Sequence, residues 1–154
     1  MASKIQTCLL FSGNGKEAAE CYVSLVPNSR IERIFSPTVG EPPLTIEFTL
    51  GGVPYQILNR GPKMEHTGAS SIVVLTNDQA ETDRLWDALA ADGGEEKPCG
   101  WLRDRFGIWW QIVPEILPDL LMKEDQTAAG RVMEALLTMN KIDSATLEAA
   151  FRAA

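Results

Sequence analysis

The sequence predicts an α+β protein: two β-α-β-β-β modules in succession, followed by a helical C-terminal extension. Three observations carry this prediction. First, "GGVPYQILN" at 51–59 is echoed by "FGIWWQIVP" at 106–114, with Gln56 and Gln111 at the same place in each. Second, the helix signals recur in one register: Asn14 and Asp78, Glu17 and Glu81, Tyr22 and Trp86, and Leu25 and Leu89 each lie 64 residues apart. Chance does not keep a cap, an aromatic and a leucine in step, so the unit is duplicated. Third, apolar spacing beyond Pro114 turns helical. The glutamines are 55 residues apart, so the halves differ by a net nine residues, which the loop "SPTVGEPP" accommodates.

The elements follow in order. Residues 4–11, "KIQTCLLF", read as a strand, and "SGNG" leads into a helix. Asn14 is placed to cap it, with Glu17 reaching back to the cap. Ala18, Tyr22 and Leu25 make its apolar face, and Pro27-Asn28-Ser29 ends it. "RIERIF" is the next strand, and "LTIEFTL", Gly51-Gly52 and "VPYQILN" form a hairpin. In the second half "ASSIVVLT" is a buried strand, Asp78 and Glu81 open a helix with Leu85, Trp86 and Leu89 inward, and Gly93-Gly94 closes it. Three short extended stretches follow, with Asp104 and Arg105 holding a hairpin turn. Strand alternation puts Trp109 on the face of Gln111 and Trp110 towards the helices. In the tail, Asp125 and Asp143 are helix caps, and Ala129, Met133 and Leu136, then Leu147 and Phe151, form packing stripes. The modules are 1–65 and 66–114 and the extension 115–154, together one compact domain.

Composition narrows the function classes. Hydrophobic residues at 45% and charged ones at 23% suit a globular domain. No apolar run approaches the roughly 20 residues that span a bilayer, and no signal or lipidation motif is seen, so no membrane is expected and the cytoplasm is the expected compartment. A net charge of −7, with Lys and Arg scattered, argues against nucleic acid as a partner. Cys8, Cys21 and Cys99 are odd in number and lack CxxC spacing, which argues against a disulfide framework and against a zinc site. Cys8 and Cys21 are expected as buried thiols among apolar neighbours, and Cys99 in a turn.

The duplicated module, with "LLFSGNGKEAAECYVSL", "CGWLRDRFGIWWQIVP" and "RVMEALLTMNKID", resembles the vicinal oxygen chelate superfamily. That superfamily includes glyoxalase I, extradiol dioxygenases and bleomycin-resistance proteins. The closer resemblance is to its PhnB-like branch, often labelled 3-demethylubiquinone-9 3-methyltransferase. The resemblance implies modules curled into half-barrels around a cavity between them, and a homodimer covering open sheet edges. Metal-binding members carry one ligand on the first and one on the last strand of each module. Here those positions fall on Thr7, Gln56, Ser71 and Gln111, all neutral, so no metal and no cofactor are expected.

The function this suggests is metal-independent binding of a small molecule whose identity the sequence leaves open. Thr7, Gln56, Ser71 and Gln111 would supply polar anchors, and Trp109, Trp110, Tyr55 and Phe11 flat apolar walls. The glutamines either line a pocket or bond to each other in a filled core. Enzyme readings stand as alternatives: the methyltransferase of the family label, or a lyase or dioxygenase with an atypical metal site. "SGNG" is a weak signal for the former. Glu47 faces either solvent or cavity. His66 is a surface residue, a general base or a rim contact, and Cys99 lacks a nearby base in sequence.

Overall fold

The computed structural model describes residues 4–153. The chain divides into two units, one ending at Glu65 and one beginning at His66. The first contains β1 (Thr7–Leu10), α1 (Gly15–Leu25), β2 (Arg30–Phe35), β3 (Thr45–Leu50) and β4 (Val53–Leu58). The second repeats the order as β5 (Ile72–Thr76), α2 (Gln79–Ala90), β6 (Glu95–Glu96), β7 (Trp101–Arg103) and β8 (Trp109–Pro114). It continues with α3 (Ile116–Leu121), α4 (Gln126–Leu136) and α5 (Ser144–Arg152). Strand orders are equivalent, β1-β4-β3-β2 and β5-β8-β7-β6. In each unit the first strand runs parallel to the last, and the other pairings are antiparallel. The α+β fold with two β-α-β-β-β modules is therefore present. Neither sheet closes on itself, so the half-barrel implied by the resemblance is an open four-stranded sheet in each unit.

Each sheet buries one face under its helix. In the first unit α1 packs Ala18, Ala19 and Tyr22 against Ile46, Phe48 and Ile57, all essentially without exposure. In the second, α2 contributes Leu85, Trp86 and Leu89, as its spacing predicts, against Leu102, Trp110 and Ile112. Fully burying a side chain of leucine, isoleucine or phenylalanine size contributes about 1.5–3 kcal/mol, which makes each of these layers a major stabilising element. Trp86 also donates its indole N–H to Glu96 Oε1 at 2.9 Å. The β3–β4 turn is made by Gly51 and Gly52, both at positive φ, as a two-residue hairpin of right-handed twist demands.

The caps divide into those formed locally and one that is not. Asp78, Asp125 and Asp143 each accept from the backbone N–H three residues on, at 2.8, 2.9 and 2.7 Å. Glu81 reaches back as its spacing predicts, but to the N–H of Asn77 rather than of Asp78. Asn14 makes no side-chain cap bond. The start of α1 is instead held by buried Asn59, whose Oδ1 accepts from Gly13 N at 3.2 Å and Gly15 N at 2.7 Å. A side chain at residue 15 would sit 2.5 Å from Ile57 Cγ2 and 2.7 Å from Asn59 Oδ1, so only glycine admits this long-range cap.

The tail packs on the second unit. Leu117, Leu120, Val132, Leu136, Ile142 and Leu147 form one apolar cluster. The turn at Cys99 and Gly100 anchors it: their N–H groups donate to Met139 O and Asn140 O, both at 2.7 Å. The stripe on α4 is Ala128, Val132 and Leu136, not Ala129, Met133 and Leu136, and Met133 is 40% exposed. Arg131 fixes that rotation by donating to Ala150 O and Phe151 O, each at 3.0 Å. No described helix is long and apolar enough to cross a membrane.

Lys141 clamps the tail to α2 through Asp83 at 3.2 Å and Asp87 at 3.1 Å. Hydrogen bonds from Gln79 and then Lys141 hold the Asp83 carboxyl below its ordinary range. Burial works to lower Lys141, but its bonds to Asp87 and Asp83 prevail and raise it. Since the Asp83 value is depressed on folding, its stabilisation is present at neutral pH and lost as pH falls through the carboxylate range. Lys141→Met is therefore expected to flatten the acid limb of thermal stability measured from pH 7 to pH 3. The change should stay below about 1 kcal/mol, because these groups are solvent-screened.

Candidate functional site

The face opposite the helix is the half of each sheet that the core leaves available. Strand register says which side chains it carries. In the first unit Cys8, Gln56, Glu47 and Arg33 stand opposite one another across all four strands. On one side of this row lies an apolar one: Leu10, Leu58, Thr45 and Phe35. On the other lie Pro54, Thr49 and Arg30, with Gln6 at the β1 end. The second unit has the same plan. Val73, Gln111 and Trp101 form the middle row, Leu75 and Val113 the apolar row, and Trp109, Arg103 and Glu95 the third, with Ser71 at its end.

Gln56 and Gln111 thus occupy equivalent places, and each meets a polar side chain from the residue just before the first strand of its own module. Gln111 Nε2 donates to Ser71 Oγ at 2.8 Å. In the first unit the partner is Gln6, whose Nε2 donates to Gln56 Oε1 at 3.2 Å. Thr7 is not that partner: it pairs with Tyr55 and shares the helix side of the sheet. The first strands are related by an offset of 65 residues, since Cys8 matches Val73, whereas the helices keep 64. One additional residue between β1 and α1 produces the slip, and a slip of one reverses a side chain's face.

Phe11 leaves the expected site, and Tyr55 turns its ring away from Gln56 while still lining the edge of a groove on its sheet. Tyr55, adjacent to Gln56, points to the other face and stacks on Phe48 with ring centroids 5.5 Å apart. Burial there pushes its phenol above the ordinary range. Phe11 is 5% exposed and belongs to the core. Trp109 does lie beside Gln111, while Trp110 is fully buried and not a wall of the site. Trp109 donates Nε1 to His66 O at 3.2 Å, meets Trp101 edge-on at 6.5 Å, and rests against Gly68, where an added Cβ would lie 3.4 Å from the ring. Trp101 and Gln6 are the site residues that sequence reasoning missed. The 3-residue strand β7 is too short to show alternation.

Cys8 is exposed on the helix-free face and Cys21 half-buried, so neither is the buried thiol expected. Cys8 lies on the edge strand β1, on the face without a helix, and Cys21 lies off the buried stripe of α1. Cys99, at φ 62, directs its thiol to Leu136 O at 3.6 Å and so belongs to the tail-docking turn. His66 is half-buried and its carbonyl holds Trp109. Asp104 is 4% exposed and organises its turn: Oδ1 accepts from Phe106 N and Ile108 N at 2.8 and 2.9 Å, and Oδ2 from Trp110 Nε1 at 2.8 Å. Arg105 pairs with Asp92 at 3.0 Å and lies over the Phe106 ring.

A divalent ion needs carboxylate or imidazole donors to offset its dehydration. Gln6, Gln56, Ser71 and Gln111 offer amides and a hydroxyl only. Glu47, beside Gln56, is already engaged by Arg33 Nε and Nη2 at 2.8 and 2.6 Å. Among the described residues no three His, Cys, Asp or Glu are grouped to hold an ion. This donor set does not fit a metal. What it fits is hydrogen bonding beside apolar surface, and a groove of about 540 Å³ opens over Gln6, Glu47, Thr49 and Arg33.

Comparison with known proteins agrees with this architecture. The model of the family described as 3-demethylubiquinone-9 3-methyltransferase matches residues 3–113, leaving the tail outside. A putative 3-demethylubiquinone-9 3-methyltransferase, PhnB protein, from Bacillus cereus is 29% identical, with a TM-score of 0.67 over 73% of this chain and 99% of that one. A Pseudomonas aeruginosa protein is 24% identical, with a TM-score of 0.62 over 74% and 98%. The fosfomycin resistance protein FosX from Mesorhizobium loti is 12% identical, with a TM-score of 0.56 over 80% and 99%, a likeness of fold alone. No curated protein sequence matches.

Proposed function

The chain belongs to the 3-demethylubiquinone-9 3-methyltransferase family, the PhnB-like branch of the vicinal oxygen chelate superfamily, and on that premise we propose that it binds a small organic molecule through side-chain amides on the helix-free faces of its sheets, without a metal ion. The observation that carries this reading is the repeated glutamine, placed in each module between an apolar row and a polar one. Gln56 gives one acceptor to Gln6 and keeps its own N–H donors for a ligand, while Gln111 uses one donor and keeps its carbonyl. Half-buried amides beside apolar surface favour a ligand with its own donors and acceptors and some apolar area.

Methyl transfer draws less support. A doubly wound parallel sheet with a free glycine-rich turn would be the usual cradle for S-adenosylmethionine. Each sheet here mixes parallel and antiparallel pairs. In "SGNG" the N–H groups of Gly13 and Gly15 are both taken by Asn59. Calorimetric titration with S-adenosylmethionine is expected to show no binding heat.

The direct test is a thermal-shift screen of small molecules in the presence of a chelator. Gln56→Leu or Gln111→Leu is expected to weaken a hit by about tenfold, the loss of one or two hydrogen bonds. A hit that binds only after divalent metal is added would overturn the reading.

A further inference from the structure

We infer that the groove of the first unit takes a compact zwitterion, a molecule bearing one ammonium and one carboxylate on a small apolar body. The inference rests on the reading above that this face binds a small molecule, and it adds the ligand's charge pattern.

The sequence "RIER" would, under strict alternation, put Arg30 and Glu32 on one face of β2 and Arg33 on the other. The strand does not alternate strictly: its register shifts between Ile31 and Arg33, so Arg30 pairs with Thr49 and Arg33 with Glu47. Such a bulge re-aims side chains. Its effect here is to bring both guanidinium groups to the helix-free face, where they line the groove together with Glu32, Glu47, Gln6 and Thr49. Two cations and two anions therefore face the same space, and their charges cancel.

The pairs are open to exchange. Arg30 meets Glu32 at 2.6 Å and Arg33 meets Glu47 at 2.6 Å, with the arginine side chains 69% and 78% exposed. Exposed ion pairs of this kind contribute little to stability. Both bonds from Arg33 fall on Glu47 Oε2, which leaves Oε1 to accept from a ligand. Thr49 Oγ1 is buried without a hydrogen-bond partner, a group whose desolvation is offset only when something bonds to it. A lone anion bound by the arginines would strip Glu32 or Glu47 of its counter-ion beside a second negative charge. A lone cation would do the converse to the arginines. A zwitterion replaces one internal pair by two, and its body can lie against Pro54 and Tyr55, which also line the groove.

Leucine, N-acetyl-leucine and leucinamide share one body and differ in charge, so they discriminate. Each would be titrated into the full-length protein and followed by backbone and side-chain amide NMR. Leucine is expected to shift Gln6, Glu47 and Thr49, and to bind at least about tenfold more tightly than either singly charged analogue, the scale of one charge-assisted hydrogen bond. Glu47→Gln and Arg33→Gln should each reduce leucine binding about tenfold while removing its preference over the analogue lacking that charge. Equal binding of the three probes, or no shift with leucine, overturns the inference. If leucine fails while a neutral compound from the chelator screen shifts Gln56, the zwitterion falls and the binding face stands. If no compound shifts Gln56 or Gln111, both fall.

Discussion

Asp104→Ala is expected to destabilise the second unit by about 3–5 kcal/mol. The reason is the number of donors left behind. Asp104 is 4% exposed, and its carboxylate accepts from Phe106 N, Ile108 N and Trp110 Nε1. Alanine removes both acceptor oxygens and with them three hydrogen bonds, two of them buried, and each buried donor that loses its acceptor costs about 1–3 kcal/mol. Asn is expected to do better than Ala but not to restore stability, because its NH₂ would face either the Trp110 indole N–H or the two backbone N–H groups. Urea denaturation of the three proteins measures the order, with the slope on denaturant unchanged if the native fold is kept. Hydrogen exchange at the Phe106 and Ile108 amides should accelerate in step. An Asp104→Ala variant within about 1 kcal/mol of wild type would mean that the turn is held by backbone bonds alone.

Asn59→Ala is expected to cost the first unit about 2–4 kcal/mol by the same logic of orphaned groups. Asn59 is 1% exposed and joins three segments: it accepts from Gly13 N and Gly15 N and donates to Pro43 O at 3.0 Å and Gly13 O at 3.3 Å. Its loss uncaps α1, which carries Ala18, Ala19 and Tyr22 into the core. Asn59→Asp should also destabilise, since a carboxylate oxygen would replace the amide that faces Pro43 O. By contrast Asn14→Ala should change stability little, because its side chain makes no cap bond. If Asn14→Ala proved the more harmful of the two in denaturant titration, the long-range cap would be refuted.

The contrast between Asn14 and Asn59 shows what a one-dimensional reading can and cannot see. A cap three residues from its N–H donor is a local signal, and Asp78, Asp125 and Asp143 were legible for that reason. Asn59 lies 44 residues from Gly15, and nothing near either residue announces the bond. Repetition made the two modules legible, because duplication copies an order of elements. It did not fix the register of β1, where one additional residue before α1 turned Thr7 away and brought Gln6 to Gln56. Alternation assigned Trp109 and Trp110 to opposite faces correctly, since β8 runs for 6 residues without a bulge. On β2 the same rule fails, because the bulge adds a residue where the groove lies. Fold and face were thus readable where the signal is local or repeated, and the site's edges were not.

The central claim is that ligand binding runs through the two repeated glutamines and needs no metal. Its most direct measurement is the side-chain NH₂ spectrum of Gln6, Gln56 and Gln111 in chelator-treated protein, titrated with the strongest compound from the thermal screen. The expected result is a saturable shift of the Gln56 or Gln111 amide at zero added metal, with Thr7 and Ile57 on the helix side unmoved. Shifts confined to the helix side, or shifts that appear only when a divalent ion is restored, would contradict it.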